Sequence, residues 1–192
     1  MKKSLARKLS VFFAGIVFIT CLVLVGLTVM IFGNIEDRMK DVLYENTLQS
    51  YKTEVKSEVQ SAISSIEYYY NLSDSGKIDE ATAKKDALEA LRNLRYGDDD
   101  SGYFWVDDTD YNLVMHPILP EQEGTNRYDL TDKNGVKIIQ SIMKTAESGG
   151  GFNEFYFTKS DGKTVAPKVA YSQKFDKWNW VITTVIYSDD IH

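Results

Sequence analysis

Gly102-Tyr103-Phe104-Trp105-Val106-Asp107-Asp108-Thr109-Asp110-Tyr111-Asn112-Leu113-Val114-Met115 is the stretch at which the chain changes period. Upstream, apolar residues recur every three or four positions, as on a helix; within it they alternate, as on a half-buried strand. Residues 103–106 and 112–115 read as two strands joined through the acidic turn Asp107-Asp108-Thr109-Asp110. Alternation places Tyr103 and Trp105 on one face and Phe104 and Val106 on the other. Downstream, Asp132 or Asn134 is positioned to cap a helix bearing Val136, Ile139, Ile142, Met143 and Ala146, which stops at Gly149-Gly150-Gly151. Strands are expected at 152–158, 165–172 and 178–187. Helices first, then strands, one crossover and a closing run of strands argue an α+β fold with an antiparallel sheet.

Working back from Gly102, a helix is expected over about 79–94, with Ala83, Ala87, Leu88, Leu91 and Leu94 on one side, after a turn at Ser73-Asp74-Ser75-Gly76. Residues 34–71 contain no Pro or Gly. They carry Ile35, Met39 and Val42, then Val55, Val59, Ala62, Ile63, Ile66 and Tyr70 at helical spacing, which predicts one long helix. The stripe weakens around 46–53, where Gln49, Ser50 and Lys52 interrupt it. The first half is therefore expected to pair with a second copy as a homodimer, and the second half to pack on the domain.

Residues 11–32 hold no charge. About 22 residues at about 1.5 Å each give about 33 Å, enough to cross a membrane's hydrocarbon layer of about 30 Å. Lys2, Lys3, Arg7 and Lys8 precede the run and Glu36, Asp37 and Arg38 follow it, so residues 1–10 are expected in the cytoplasm and 33–192 outside the cell (inner) membrane. Val29-Met30-Ile31-Phe32 is too bulky for a signal-peptidase site, which argues for an uncleaved single-pass anchor. Cys21, the only cysteine, lies in this run; it reads as an apolar lipid-facing residue, and no intrachain disulfide can form.

With 192 residues, 43% hydrophobic and 26% charged, the chain holds one domain beyond the anchor. A net charge of −6 and the lack of a basic stripe argue against nucleic acid. Nothing resembles a nucleophile elbow, a phosphate-binding loop or a histidine metal cluster, so neither an enzyme nor a cofactor is expected. Asp108, Asp110 and Asn112 have the spacing of a calcium loop, but Leu113 and Leu119 stand where glycine and glutamate are needed, so no metal is expected. Asp98-Asp99-Asp100 reads as a solvated loop.

The order Leu94-Arg95-Tyr96-Gly97, Gly102-Tyr103-Phe104-Trp105-Val106-Asp107, His116-Pro117, Pro120 and Gly124 resembles the single Cache domain of bacterial methyl-accepting chemotaxis proteins and related transducers. Asp132-Lys133-Asn134-Gly135, residues 149–152, Pro167-Lys168, Tyr171, Trp178-Asn179-Trp180-Val181-Ile182 and Tyr187 continue the resemblance, which covers roughly 34–191. It implies a long membrane-proximal helix against a PAS-like sheet, with a pocket for a small organic anion such as propionate, lactate, pyruvate or acetate. Occupancy would be relayed through helix movement. In such receptors a second span and a cytoplasmic signalling region normally follow. Ending at Asp189-Asp190-Ile191-His192, the chain is expected to be the sensor part of a chemoreceptor, a histidine kinase or a cyclic-dinucleotide transducer, or a free-standing anchored binding subunit.

A buried carboxylate needs a cation and polar donors around it. The resemblance directs attention to Arg95, Tyr103, Trp105, His116, Tyr156, Lys168 and Tyr171 as ligand-binding residues. His116 precedes Pro117, which biases it to extended backbone at a strand end. Lys168 sits among Val165, Val169 and Tyr171, an odd place for an ammonium unless an edge lets it snorkel. Arg95 either clamps the anion or complements its helix C-terminus. Phe155 and Phe157 stand where such domains often have a tyrosine and a tryptophan, which favours a ligand with a short alkyl part.

Overall fold

The computed structural model describes residues 2–97, 100–158 and 164–187. Contacts divide the chain into Met1–Asn46 and Thr47–His192. The first unit lies within helix α1 (Lys2–Asp74), and its large apolar side chains from Leu9 to Leu43 are exposed. This is the one helix, among the described residues, long and apolar enough to cross a membrane.

The second unit holds the rest of α1, α2 (Glu80–Asn93), β1 (Trp105–Asp108), β2 (Leu113–Met115), α3 (Ile138–Glu147), β3 (Gly151–Thr158), β4 (Val165–Phe175) and β5 (Trp180–Tyr187). One turn of 3-10 helix, Pro120–Gln122, was not anticipated from the sequence. The strands form one antiparallel sheet in the order β2-β1-β5-β4-β3. The α+β architecture is the expected one.

Each face of the sheet has its own core. On one, Val55, Val59, Ala62 and Ile66 of α1 join Ala83, Ala87 and Leu91 of α2 against Phe104, Val106, Tyr171, Trp180 and Ile182. On the other, Ile138, Ile139, Ile142, Met143 and Ala146 of α3 pack on Trp105, Phe155, Ala170 and Val181. The period of two read from residues 103–106 is thus a three-layer arrangement with the sheet in the middle.

Local chemistry sets the boundaries. Asp79 caps α2, accepting from the Thr82 N–H at 2.9 Å and the Thr82 hydroxyl at 2.6 Å. Past α3, Gly149 and Gly150 have φ of 101° and 96°, and the amide of Gly150 returns to the Thr145 carbonyl at 3.2 Å. Asp132 and Asn134 do not cap α3, whose N-cap is Lys137, with no side-chain cap bond. Asp132 instead closes a tight turn, its Oδ1 accepting from the amides of Asn134 and Val136 at 2.8 Å each, so Val136 precedes the helix. In the β1–β2 turn Asp108 Oδ1 accepts from the amides of Asp110 and Asn112. Asp98 and Asp99 of the acidic loop and residues 188–192 lie outside the described residues.

Candidate functional site

On the α3 face, the side-chain layer leaves a cavity of about 300 Å3. Its walls come from every layer element on that side. Tyr103 and Trp105 rise from β1 and the residue pair before it, Phe155 and Phe157 from β3, Lys168 from β4 and Val185 from β5; Ile138 and Ile139 close it from α3. The segment after β2 supplies His116, Ile118, Leu119 and Gln122, and Arg127 and Leu130 follow. Among the described lining residues two are cationic, Arg127 and Lys168, and none is acidic.

Lys168 is 4% exposed. Its strand is interior to the sheet, between β3 and β5, so the side chain has no edge along which to reach water. Its ammonium lies over the rings of Tyr187 at 4.7 Å and Phe157 at 5.3 Å.

His116 is 6% exposed, stacked on Trp105 with centroids 5.9 Å apart and tilted against Tyr103 at 5.4 Å. Its Nδ1 accepts from the backbone amides of Ile118 and Leu119, both at 3.2 Å, so the neutral ring carries its proton on Nε2. Burial, reinforced by the charges of Arg127 and Lys168, lowers its pKa to about 4. The backbone N–H of His116 donates to Glu123 Oε1 at 2.8 Å, and Glu123 is paired with Arg92 of α2, also at 2.8 Å. Burial pushes the Tyr103 phenol up to about 12, leaving it a hydroxyl able to donate.

Arg127 was not foreseen. Its Nε donates to Asp107 Oδ1 at 3.0 Å and its Nη2 donates to the same oxygen. Asp107 is wholly buried, and its Oδ2 accepts from Trp105 Nε1 at 2.9 Å. The indole donor expected to face a ligand is therefore engaged behind the cavity wall. Arg127 lies in a loop with no periodicity, held by its amide donating to the Tyr111 carbonyl at 2.8 Å. A signal was nonetheless present: alternation puts Asp107 on the face of Tyr103 and Trp105, and a carboxylate buried there demands a cation.

The structure brings Tyr103, Trp105, His116 and Lys168 together at the cavity and places the other three candidates elsewhere. Arg95 donates to the carbonyls of Arg92 at 2.9 Å and Leu94 at 2.8 Å; it complements the end of α2 and does not line the cavity. Tyr171 is an odd number of residues from Lys168 on the same strand, so it points into the α1 side, against Phe152 at 4.9 Å. Tyr156 alternates with Phe155 and Phe157 for the same reason; its ring receives Lys133 at 3.7 Å and its amide donates to Asp132.

Comparison with known proteins agrees with the fold. The sensor histidine kinase MctS of Rhizobium johnstonii is 33% identical over 159 residues, covering 83% of this chain and 33% of MctS. The methyl-accepting chemotaxis protein McpP of Pseudomonas putida is 27% identical over 150 residues, covering 78% of this chain and 27% of McpP. The chain thus spans about a third of the length of the curated relatives it matches. A solved structure described as the basis for carboxylic acid recognition by a Cache chemosensory domain superposes with a TM-score of 0.69 at 25% identity, covering 74% of this chain and 97% of that one. The family model described as single Cache domain 2 matches residues 47–192. With the matched region spanning the whole sheet, α2 and the part of α1 from residue 47 onward, the chain belongs to the single Cache domain 2 family of sensor domains.

Proposed function

We propose that this Cache domain senses a short monocarboxylate, such as propionate, lactate, pyruvate or acetate, in the cavity on the α3 face. The observation that carries the reading is the placement of Lys168 and Arg127 in a cavity whose other walls are largely apolar or aromatic. A carboxylate leaving water is stabilised there by charge and by hydrogen bonds from Tyr103 and the Nε2–H of His116, while a short alkyl part meets Phe155 and Phe157. The carboxylic acid named for the structural relative supports the same ligand class.

Transmission follows from the sheet. Tyr103 and Trp105 face the cavity while Phe104 and Val106, between and beside them, face the helices. A ligand that prefers one position of this strand shifts the packing of α1 by its differential affinity for the two arrangements. In this reading residues 11–32 span the membrane with 1–10 in the cytoplasm and 33–192 outside, supported by the charges flanking the apolar run. Labelling reporter cysteines at either end of the span reads that orientation. Ile35, Met39 and Val42, all exposed, form the seam of a homodimer.

Isothermal calorimetry on the full chain in detergent micelles tests the ligand. About six heavy atoms at no more than about 1.5 kcal/mol each cap the affinity near micromolar. Lys168→Met should weaken binding at least about tenfold, while Arg95→Ala, away from the cavity, should leave it unchanged. Absence of binding by any of the four carboxylates, or equal binding by Lys168→Met, rejects the proposal.

A further inference from the structure

We infer that Asp107, which does not line the cavity, sets its charge selectivity by cancelling Arg127, so that the site accepts a monoanion and discriminates against dianions with the same number of carbons. This rests on the proposed carboxylate site and specifies what that site rejects.

Asp107 is wholly buried behind the wall, with one oxygen taken by Arg127 and the other by the Trp105 indole. Every one of these contacts has an N–H donor aimed at a carboxyl oxygen. Charge-assisted bonds from a guanidinium to a carboxyl that accepts at both oxygens fit an ionised Asp107 paired with Arg127. Burial raises the Asp107 pKa and the guanidinium pulls it back. Arg127 therefore reaches the cavity with its counter-charge built in: it offers hydrogen-bond donors, and the field that His116 still feels from it is opposed from behind the wall by Asp107. A second carboxylate on a ligand would be desolvated next to a pair that is already neutral, and would lie near the Asp107 charge as well. Had a leucine stood at 107, the same arginine would present a whole charge and favour a second carboxylate.

Asp107 is in this sense a positioning residue that acts through Arg127. Its side chain holds the guanidinium fork at the wall, and its charge decides what the fork is worth to an anion. Asp107→Asn keeps an amide oxygen for the indole or the guanidinium and removes the charge, while exchanging the second acceptor oxygen for an N–H donor.

The test compares propionate with malonate, in which a carboxylate replaces the methyl group, by calorimetry on the full chain in micelles. The unaltered chain should bind propionate at least about tenfold more tightly than malonate, and Asp107→Asn should shift the ratio at least about tenfold toward malonate. Asp107→Asn combined with Arg127→Met, which removes both charges, should return the ratio toward that of the unaltered chain. A merely structural loss would weaken both ligands alike and leave the ratio in place. Malonate bound as tightly as propionate by the unaltered chain overturns the inference even if the single variant does not fold, as does an unchanged ratio in a folded Asp107→Asn. If the unaltered chain binds neither ligand, it is the carboxylate reading itself that fails.

Discussion

Acidification provides a direct measure of how firmly the fold holds His116 as a neutral ring. The imidazole is 6% exposed, and its pKa falls from 6.5 to about 4 because burial and the charges of Arg127 and Lys168 oppose protonation. At about 1.4 kcal/mol per pKa unit this drop corresponds to about 3 kcal/mol. The sign follows from proton counting. Between the two pKa values the unfolded chain binds a proton at this position and the folded one does not, so stability is fully present above about pH 6.5 and is lost as the pH falls toward 4. Asp107, whose carboxyl is raised by burial, titrates in the opposite sense, so the comparison must be with a variant that lacks only the imidazole. Urea unfolding of the chain and of His116→Gln, followed by tryptophan fluorescence across pH 4 to 7, isolates the contribution. The stability difference between the two should shrink by about 3 kcal/mol on going from pH 6.5 to 4. A difference that stays flat over that interval would show that the ring is protonated or solvated in the folded state, and would refute the neutral Nε2–H donor assigned to the site.

Gly102→Ala should destabilise the domain by about 1 to 3 kcal/mol, read as a lower urea midpoint at unchanged slope, because an added Cβ would sit 2.6 Å from the Tyr96 ring. Tyr96 cannot easily yield, being hydrogen-bonded to Thr184 and packed on Phe104, and an unchanged midpoint would mean that it does. Met39→Lys should convert the chain from dimer to monomer in sedimentation experiments, since Met39 is 57% exposed at the centre of the apolar seam; a monomeric unaltered chain refutes the dimer.

Much of this protein was legible in the order of its residues. Periodicity is a local property, so the switch at Gly102 disclosed the strands, the spacing of Val55, Val59, Ala62 and Ile66 disclosed the buried stripe of α1, and the uncharged run 11–32 disclosed a helix fit to cross a membrane. Part of the site was equally local: alternation sends Tyr103 and Trp105 to one face together, and the same rule, applied to β3 and β4, separates Tyr156 from Phe155 and Tyr171 from Lys168. What needed the tertiary structure was the meeting of groups whose separation in sequence carries no period. Arg127 reaches Asp107 from an irregular loop, 20 residues away. Arg95 spends its donors on the carbonyls at the end of its own helix, and Lys168 is buried because β4 is interior to the sheet, a fact set by strand order. Side-chain direction along one element follows from backbone geometry, whereas the partner a buried charge finds depends on which loops the closed sheet brings beside it.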